Sequence, residues 1–139
     1  MPLLPFSALQ QDQLRAEGVA AVYLFGSRAQ GNARETSDYD LALIMQNTKG
    51  IVPYINTSLY NALLDCVSQA IQEPTLPTID LVFLQRVPLY YTMNVLKSGI
   101  LIYDGNPHAR LQFEERARLM YMDFEPYRKE LEYATLAMI

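Results

Sequence analysis

A run of apolar, β-forming residues, Val19–Phe25, stops abruptly at Gly26 and Ser27. The run predicts a buried strand, and the glycine predicts a sharp turn into one or two helical turns over residues 27–31. Such a strand-to-helix junction leaves backbone N–H groups pointing outward, with the positive end of the helix dipole behind them. The junction therefore predicts an anion site, where Gly26 admits a phosphate close to the backbone and the Ser27 hydroxyl adds a donor.

Two carboxylates follow ten residues after this junction. Asp38 and Asp40 lie at the start of a second predicted strand, residues 38–45. Residues i and i+2 of a strand share a face, so the two carboxylates repel each other unless a cation lies between them. Magnesium prefers oxygen ligands and keeps substrate phosphates in its shell. Tyr39 is expected to point to the opposite face, into packing.

A third carboxylate, Asp80, lies in a third predicted strand, residues 78–84, among apolar neighbours. A lone aspartate in a buried strand is costly unless it is paired or bound to a metal. If the second and third strands are adjacent, Asp80 can approach Asp38 and Asp40. Three carboxylates could then hold two metal ions about 4 Å apart, with Asp80 as the general base or the ligand nearest the nucleophile.

The remaining pattern predicts a single domain over residues 1–139 of the α/β (α+β) class, with helices packed on a small mixed sheet. A first helix over residues 7–17 has Ser7 as its cap and Leu9 and Leu14 facing inward. Pro126 is expected to break the last helical region. The other predicted elements are helices over 52–72 and 88–98, the latter ending at Gly99, an edge strand over 100–103 and a helical region over 108–136.

Composition narrows the partners and the compartment. A net charge of -4 disfavours a polynucleotide substrate, because nucleic-acid binders usually carry a basic face, whereas a nucleotide held through a metal ion remains compatible. Cys66 is the one cysteine, so no internal disulfide can form, and its apolar surroundings predict an inert core thiol. Without a signal peptide or a bilayer-spanning run, a reducing cytoplasm is expected.

The run GSRAQGNARETSDYDLAL, from Gly26 through Asp38 and Asp40, resembles the GS-x10-DxD signature of the nucleotidyltransferase superfamily related to DNA polymerase β. It is most similar to the minimal nucleotidyltransferase (MNT) branch, which has little beyond the polymerase β-like core. The stretch from VFLQRVPLYY to MDFEPY resembles the C-terminal half of MNT antitoxins, the partners of HEPN-domain ribonuclease toxins.

This resemblance implies a role for each matching residue. Gly26 and Ser27 would hold the phosphates of ATP, Asp38 and Asp40 would bind Mg²⁺, and Asp80 would complete the triad. The family often has an arginine where this chain has Gln30, which leaves Arg28 and Arg34 as candidates for phosphate contact. The implied activity is transfer of AMP from ATP to a tyrosine of the HEPN toxin, which silences the ribonuclease.

Two other functions remain open at this point. The chain could neutralise a toxin by binding alone, or it could be a small-molecule nucleotidyltransferase of the aminoglycoside-modifying kind. The mixed-charge C-terminal region is either a solvated helix face with i,i+4 ion pairs or a docking face for the toxin.

Overall fold

The computed structural model describes residues 6–31, 38–46, 57–70 and 78–138. Within these ranges helices and strands alternate along most of the chain. Their bounds are α1 Ala8–Ala16, β1 Val19–Phe25, α2 Ser27–Gln30, β2 Tyr39–Met45, α3 Thr57–Ala70, β3 Ile79–Phe83, α4 Leu89–Ser98, β4 Ile100–Asp104 and α5 Pro107–Ala137. Of the predicted helix over 52–72, residues 52–56 and 71–72 lie outside the described ranges, and so does Arg34.

The four strands form one mixed sheet in the order β3-β2-β1-β4. β1 runs antiparallel to both of its neighbours, whereas β2 and β3 run parallel. The predicted fold class is therefore confirmed, as is the edge position of the strand predicted over 100–103. Because parallel neighbours begin at the same end of a sheet, polar residues at the starts of β2 and β3 lie side by side.

Alternation along β2 divides the core into two faces. Tyr39, Leu41 and Leu43 are buried in a cluster with residues of α1 and α3, so the prediction that Tyr39 points into packing is confirmed. Ala42 and Ile44 belong to a second cluster, which includes residues of α4 and α5. Asp40 continues the series of Ala42 and Ile44, which puts its carboxylate on the α4/α5 face.

Helix α1 begins with a capping box. The Ser7 hydroxyl accepts a hydrogen bond from the Gln10 backbone N–H at 3.2 Å, and the Ser7 N–H donates to Gln10 Oε1 at 2.8 Å, which confirms the predicted cap. Leu14 is fully buried as predicted, but Leu9 is 75% exposed. The prediction for Leu9 was wrong because five residues turn a helix about 140° away from the face of Leu14.

Helix α5 is continuous through Pro126, so the predicted break there is wrong. Proline removes one backbone donor and crowds the carbonyl four residues earlier. Pro126 lies in an exposed stretch, where the freed carbonyl can be hydrated and the helix can continue. No helix in the described ranges combines the length and the apolarity needed to cross a bilayer.

The first turns of α5 are fixed to the sheet by a buried polar network. Glu114 is 7% exposed, and its carboxylate accepts a hydrogen bond from the Tyr23 hydroxyl of β1. The Arg110 guanidinium donates a hydrogen bond of 3.3 Å to the Glu114 carboxylate. It also donates to both carboxylate oxygens of Asp104 in β4, at 2.9 and 3.0 Å. Burial, and then the hydrogen bond to Glu114, raise the pKa of Tyr23, which therefore stays a neutral donor.

Candidate active site

The parallel register of β2 and β3 places Asp40 directly beside Asp80. The register pair two residues on, Ala42 with Val82, packs in the cluster beneath α4 and α5, so the two aspartates share that face. Asp38 precedes β2 and is two residues from Asp40. The adjacency of the two strands, on which the sequence prediction depended, is thus observed.

The exposure of Asp80 differs from the prediction. The sequence suggested a buried carboxylate, but Asp80 is exposed, whereas Asp40 is partly buried and Asp38 is exposed. The reason is the position of β3 at the sheet edge, with Asp80 near its start. The inference that Asp80 needs a partner because its charge is buried therefore does not apply. The reason to include Asp80 in the candidate site is instead its position beside Asp40.

The electrostatics of this edge centre on Asp40. Burial, and then the nearby charges of Asp80 and Asp38, raise the pKa of the Asp40 carboxyl. The donor set is all oxygen, which suits magnesium. Even so, no group of three or more His, Cys, Asp or Glu side chains in the described ranges is arranged to hold a metal ion. A cation would therefore have to draw the three carboxylates closer together.

Gly26 has two structural requirements at once. Its φ is +76°, a conformation that L residues with a side chain rarely adopt. A Cβ at this position would lie within 3.0 Å of Asp40 Oδ2 and 3.3 Å from Asp40 Cγ. The turn after β1 therefore passes directly against the Asp40 carboxylate, and only glycine leaves room for it.

The other two predicted phosphate-binding residues, Ser27 and Arg28, lie in α2, a single turn of four residues. The Gly26 carbonyl accepts hydrogen bonds from the N–H groups of Ala29 and Gln30, which closes this turn. The Arg28 guanidinium lies 4.1 Å above the centre of the Tyr39 ring, on the face of the sheet opposite to Asp40. Arg28 thus makes a cation–π contact with the core residue Tyr39, and this contact lies on the other face of the sheet from the Asp40 carboxylate.

Tyr91 of α4 is a site residue that the sequence did not indicate. Its ring packs edge-on against Phe25, with ring centres 5.8 Å apart, and Phe25 pairs in register with Asp40. Burial, and then the charges of Asp40 and Asp80, raise the pKa of the Tyr91 hydroxyl. A tyrosine in an amphipathic helix gives no sign in the sequence of which strand end it will cover.

A cleft of about 550 Å³ lies away from the aspartates. Ile44 and Met45, at the far end of β2, line it together with Phe113 and Met120 of α5. Since Asp40 lies near the beginning of β2, this cleft is not part of the candidate active site.

A glycine turn beside aspartates on two parallel strands of a small mixed sheet is the core of a nucleotidyltransferase of the polymerase β-like fold. The sequence matches the family described as "Polymerase beta, Nucleotidyltransferase" over residues 10–108, and the chain belongs to that family. The matched segment includes Gly26 and all three aspartates, Asp38, Asp40 and Asp80. No curated relative matches the chain in sequence.

Solved structures of toxin–antitoxin complexes contain chains of similar fold. A chain from the crystal structure of a toxin–antitoxin with AMP-PNP has a TM-score of 0.65 at 21% identity, covering 90% of this chain and 94% of that chain. A chain from the complex of the tri-AMPylated Shewanella oneidensis HEPN toxin with MNT antitoxin has a TM-score of 0.60 at 18% identity, covering 92% and 97%. At these identities the likeness shows the fold.

Proposed function

We propose that this protein is an antitoxin that transfers AMP from ATP to a tyrosine hydroxyl of a HEPN ribonuclease toxin and thereby silences it. Membership of the family supports nucleotidyl transfer. Similar folds occur in a complex with AMP-PNP and in a complex with an AMPylated HEPN toxin, which supports the nucleotide and the partner. The observation that carries the proposal is the register pair Asp40–Asp80, with Asp38 and Gly26 beside it.

On the nucleotide side, the turn at Gly26 and the start of α2 at Ser27 would hold the phosphates through backbone N–H groups. Asp38 and Asp40 would hold magnesium with Asp80 completing the set, and two ions fit a triad of this kind. Bound there, magnesium supplies positive charge that neutralises the phosphate oxygens. The close passage of Gly26 beside Asp40 supports this part of the proposal, because the turn that would hold the phosphates lies against one of the three carboxylates.

On the acceptor side, the tyrosine oxygen attacks the α-phosphorus of ATP in line with the departing pyrophosphate. One P–O bond forms to the tyrosine while the bond between the α-phosphorus and the bridging oxygen breaks. A tyrosine hydroxyl has an ordinary pKa of about 10, so a base must take its proton. Asp38 and Asp80 are both exposed, and Asp80 lies on the edge strand β3, where it can reach a group on a docked protein, so we assign it this role.

The double variant Asp38→Ala/Asp40→Ala distinguishes neutralisation of the toxin by AMP transfer from neutralisation by binding alone. We expect the wild-type chain to relieve the toxicity of its HEPN ribonuclease partner, and the double variant to fail at equal expression. Asp65→Ala, an exposed aspartate on α3, is the matched control and should relieve toxicity fully. Full relief by the double variant would show that binding alone neutralises the toxin.

The acceptor class is tested by incubating the protein with ATP labelled at the α-phosphate, with either the HEPN partner or an aminoglycoside. We expect label on the partner protein. Label on the drug and none on the protein would reject the proposed acceptor and favour a small-molecule nucleotidyltransferase.

A further inference from the structure

A row of three side chains crosses three neighbouring strands at the candidate active site. Asp40 of β2 pairs in register with Phe25 of β1 on one side and with Asp80 of β3 on the other. Neighbouring strands lie about 5 Å apart and register partners share a face, so the row spans about 10 Å. Phe25 packs in the cluster beneath α4 and α5, which puts the row on the face that these helices cover.

Tyr91 of α4 lies beside this row. Its half-buried ring packs edge-on against Phe25, with ring centres 5.8 Å apart. Burial, and then the charges of Asp40 and Asp80, raise the pKa of the Tyr91 hydroxyl, so both carboxylates of the row are near enough to act on it. The structure therefore places a tyrosine of this chain next to the chain's own carboxylates.

The start of α4 is anchored to the sheet. The buried Thr92 donates a hydrogen bond of 3.3 Å from its hydroxyl to the carbonyl of Leu84, directly after β3. Val95, one turn further along α4, is buried in the cluster beneath this helix. Tyr91 therefore keeps a set position relative to the strands that carry Asp40 and Asp80.

Other tyrosines of the core are engaged elsewhere. Tyr23 shares the face of the row, but its hydroxyl donates to Glu114. Tyr39 and Tyr103 pack in the cluster on the opposite face. Among the residues that the structure describes, none accepts a hydrogen bond from the Tyr91 hydroxyl, which is therefore free to meet a reactant held at the carboxylates.

We propose that Tyr91 accepts AMP from ATP bound in its own chain. This inference rests on the proposed function for the transfer of AMP, and it adds a modification site on the protein itself. A P–O bond forms between the Tyr91 oxygen and the α-phosphorus, the bond from the α-phosphorus to the bridging oxygen breaks, and pyrophosphate leaves. The proton of the hydroxyl passes to the Asp80 carboxylate.

The position of Tyr91 determines the kinetics of this reaction. Because acceptor and carboxylates belong to one chain, the step is unimolecular and its rate does not depend on the protein concentration. The AMP group on Tyr91 then occupies the space beside Asp40 and Asp80. Tyr91 therefore competes with the tyrosine of the toxin for the same nucleotide.

Adjacent tyrosines on α4 make a matched test. Tyr90 precedes Tyr91 and is 65% exposed, so it is the more accessible of the two. Tyr90→Phe and Tyr91→Phe each remove one hydroxyl and keep the ring, so the melting temperature should stay at the wild-type value in both. The protein is incubated with ATP and magnesium in the absence of the toxin, and its intact mass and peptide map are measured.

We expect the wild-type chain and Tyr90→Phe to gain one AMP group each, mapped to Tyr91, and Tyr91→Phe to gain none. AMP mapped to Tyr90, or equal labelling of the wild-type chain and Tyr91→Phe, would overturn the assignment of this site.

A mixture of two chains shows whether the transfer stays within one molecule. Asp38→Ala/Asp40→Ala keeps Tyr91, and it differs from the wild-type chain in mass. In the mixture AMP should appear on the wild-type chain alone, with the same half-time after a tenfold dilution. AMP on the double variant, or slower labelling on dilution, would overturn transfer within one chain.

The outcome with the toxin present distinguishes this inference from the proposed function. If the wild-type chain labels the toxin and never itself, the modification of Tyr91 is wrong and the proposed function stands. If the wild-type chain labels Tyr91 and never the toxin, the modification site stands and the proposed acceptor on the toxin is wrong.

Discussion

Substituting Gly26 by alanine tests the contact between the turn after β1 and the Asp40 carboxylate. The change adds one methyl group and alters no charge. At this position the methyl meets two obstacles: a φ of +76°, and the Asp40 carboxylate within 3.0 Å. Gly18→Ala is a close control, because Gly18 has a φ of +83° and open space around its missing Cβ, and it lies at the opposite end of β1.

The two glycines separate the cost of the backbone from the cost of the clash. Alanine in the left-handed region costs about 1 to 2 kcal/mol, and this alone should lower the free energy of unfolding of Gly18→Ala. Gly26→Ala must also move Asp40, and overpacking of a fixed site costs a further 1 to 3 kcal/mol, roughly. We therefore expect Gly26→Ala to lose about 2 to 5 kcal/mol in total.

The assay is urea denaturation of both variants, followed by transfer of labelled AMP to the toxin at a temperature where both are folded. Gly18→Ala should transfer at the wild-type rate, whereas Gly26→Ala should lose about 100-fold or more, since a displaced Asp40 no longer aligns the phosphates. Equal losses of free energy in the two variants, with wild-type transfer by Gly26→Ala, would refute the reasoning.

Three further perturbations test the candidate active site and the buried network of α5. The raised pKa of Asp40 means that its charged form is disfavoured in the fold, so stability is lost as the pH rises above its ordinary 3.8. Asp40→Asn should remove this loss and raise the melting temperature at pH 7 in EDTA by about 1 to 3 °C. In thermal scans the gain in melting temperature should shrink towards pH 4. An unchanged melting temperature at pH 7 would contradict this prediction. Tyr91→Phe should keep the edge-on contact with Phe25 and the wild-type KM for ATP. Tyr91→Ala should raise that KM or lower kcat in steady-state kinetics. Equal kinetic constants for the wild-type chain and both variants would exclude a role for the ring. Glu114→Ala leaves the Tyr23 hydroxyl buried without its acceptor and should lower the free energy of unfolding by about 2 to 3 kcal/mol in urea denaturation. Glu114→Gln should lower it by less. Equal losses in the two variants would argue against the hydrogen bond.

The site could be predicted from local features where backbone geometry alone decides the outcome. A glycine after an apolar run predicts a turn, and residues i and i+2 at a strand start must share a face. The turn at Gly26 follows from the first rule and is observed. The common face of Asp38 and Asp40 stays a prediction, because Asp38 precedes β2. Asp80 lies beside Asp40 only because β3 is adjacent to β2 in the sheet. The sequence left this adjacency as a condition, and the parallel β2–β3 pair fulfils it.

Other features depend on contacts that no local pattern contains. Asp80 is exposed because β3 is an edge strand, and Tyr91 joins the site because α4 crosses the end of β1 where Phe25 lies. Leu9 turns away from the core because of its angular offset from Leu14. Pro126 does not break α5, since its surroundings are exposed. Tertiary placement outweighed residue type at Asp80, Tyr91 and Pro126, whereas the exposure of Leu9 follows from helical spacing, which the sequence does contain.

The most direct test of the account is the intact mass of the HEPN partner after incubation with ATP, magnesium and this protein. The wild-type chain should add one or more AMP groups to the partner, localised to tyrosine by peptide mapping, and Asp80→Asn should add none while remaining folded and bound. An unmodified partner with the wild-type chain, or full modification with Asp80→Asn, would contradict the role assigned to the carboxylates of β2 and β3.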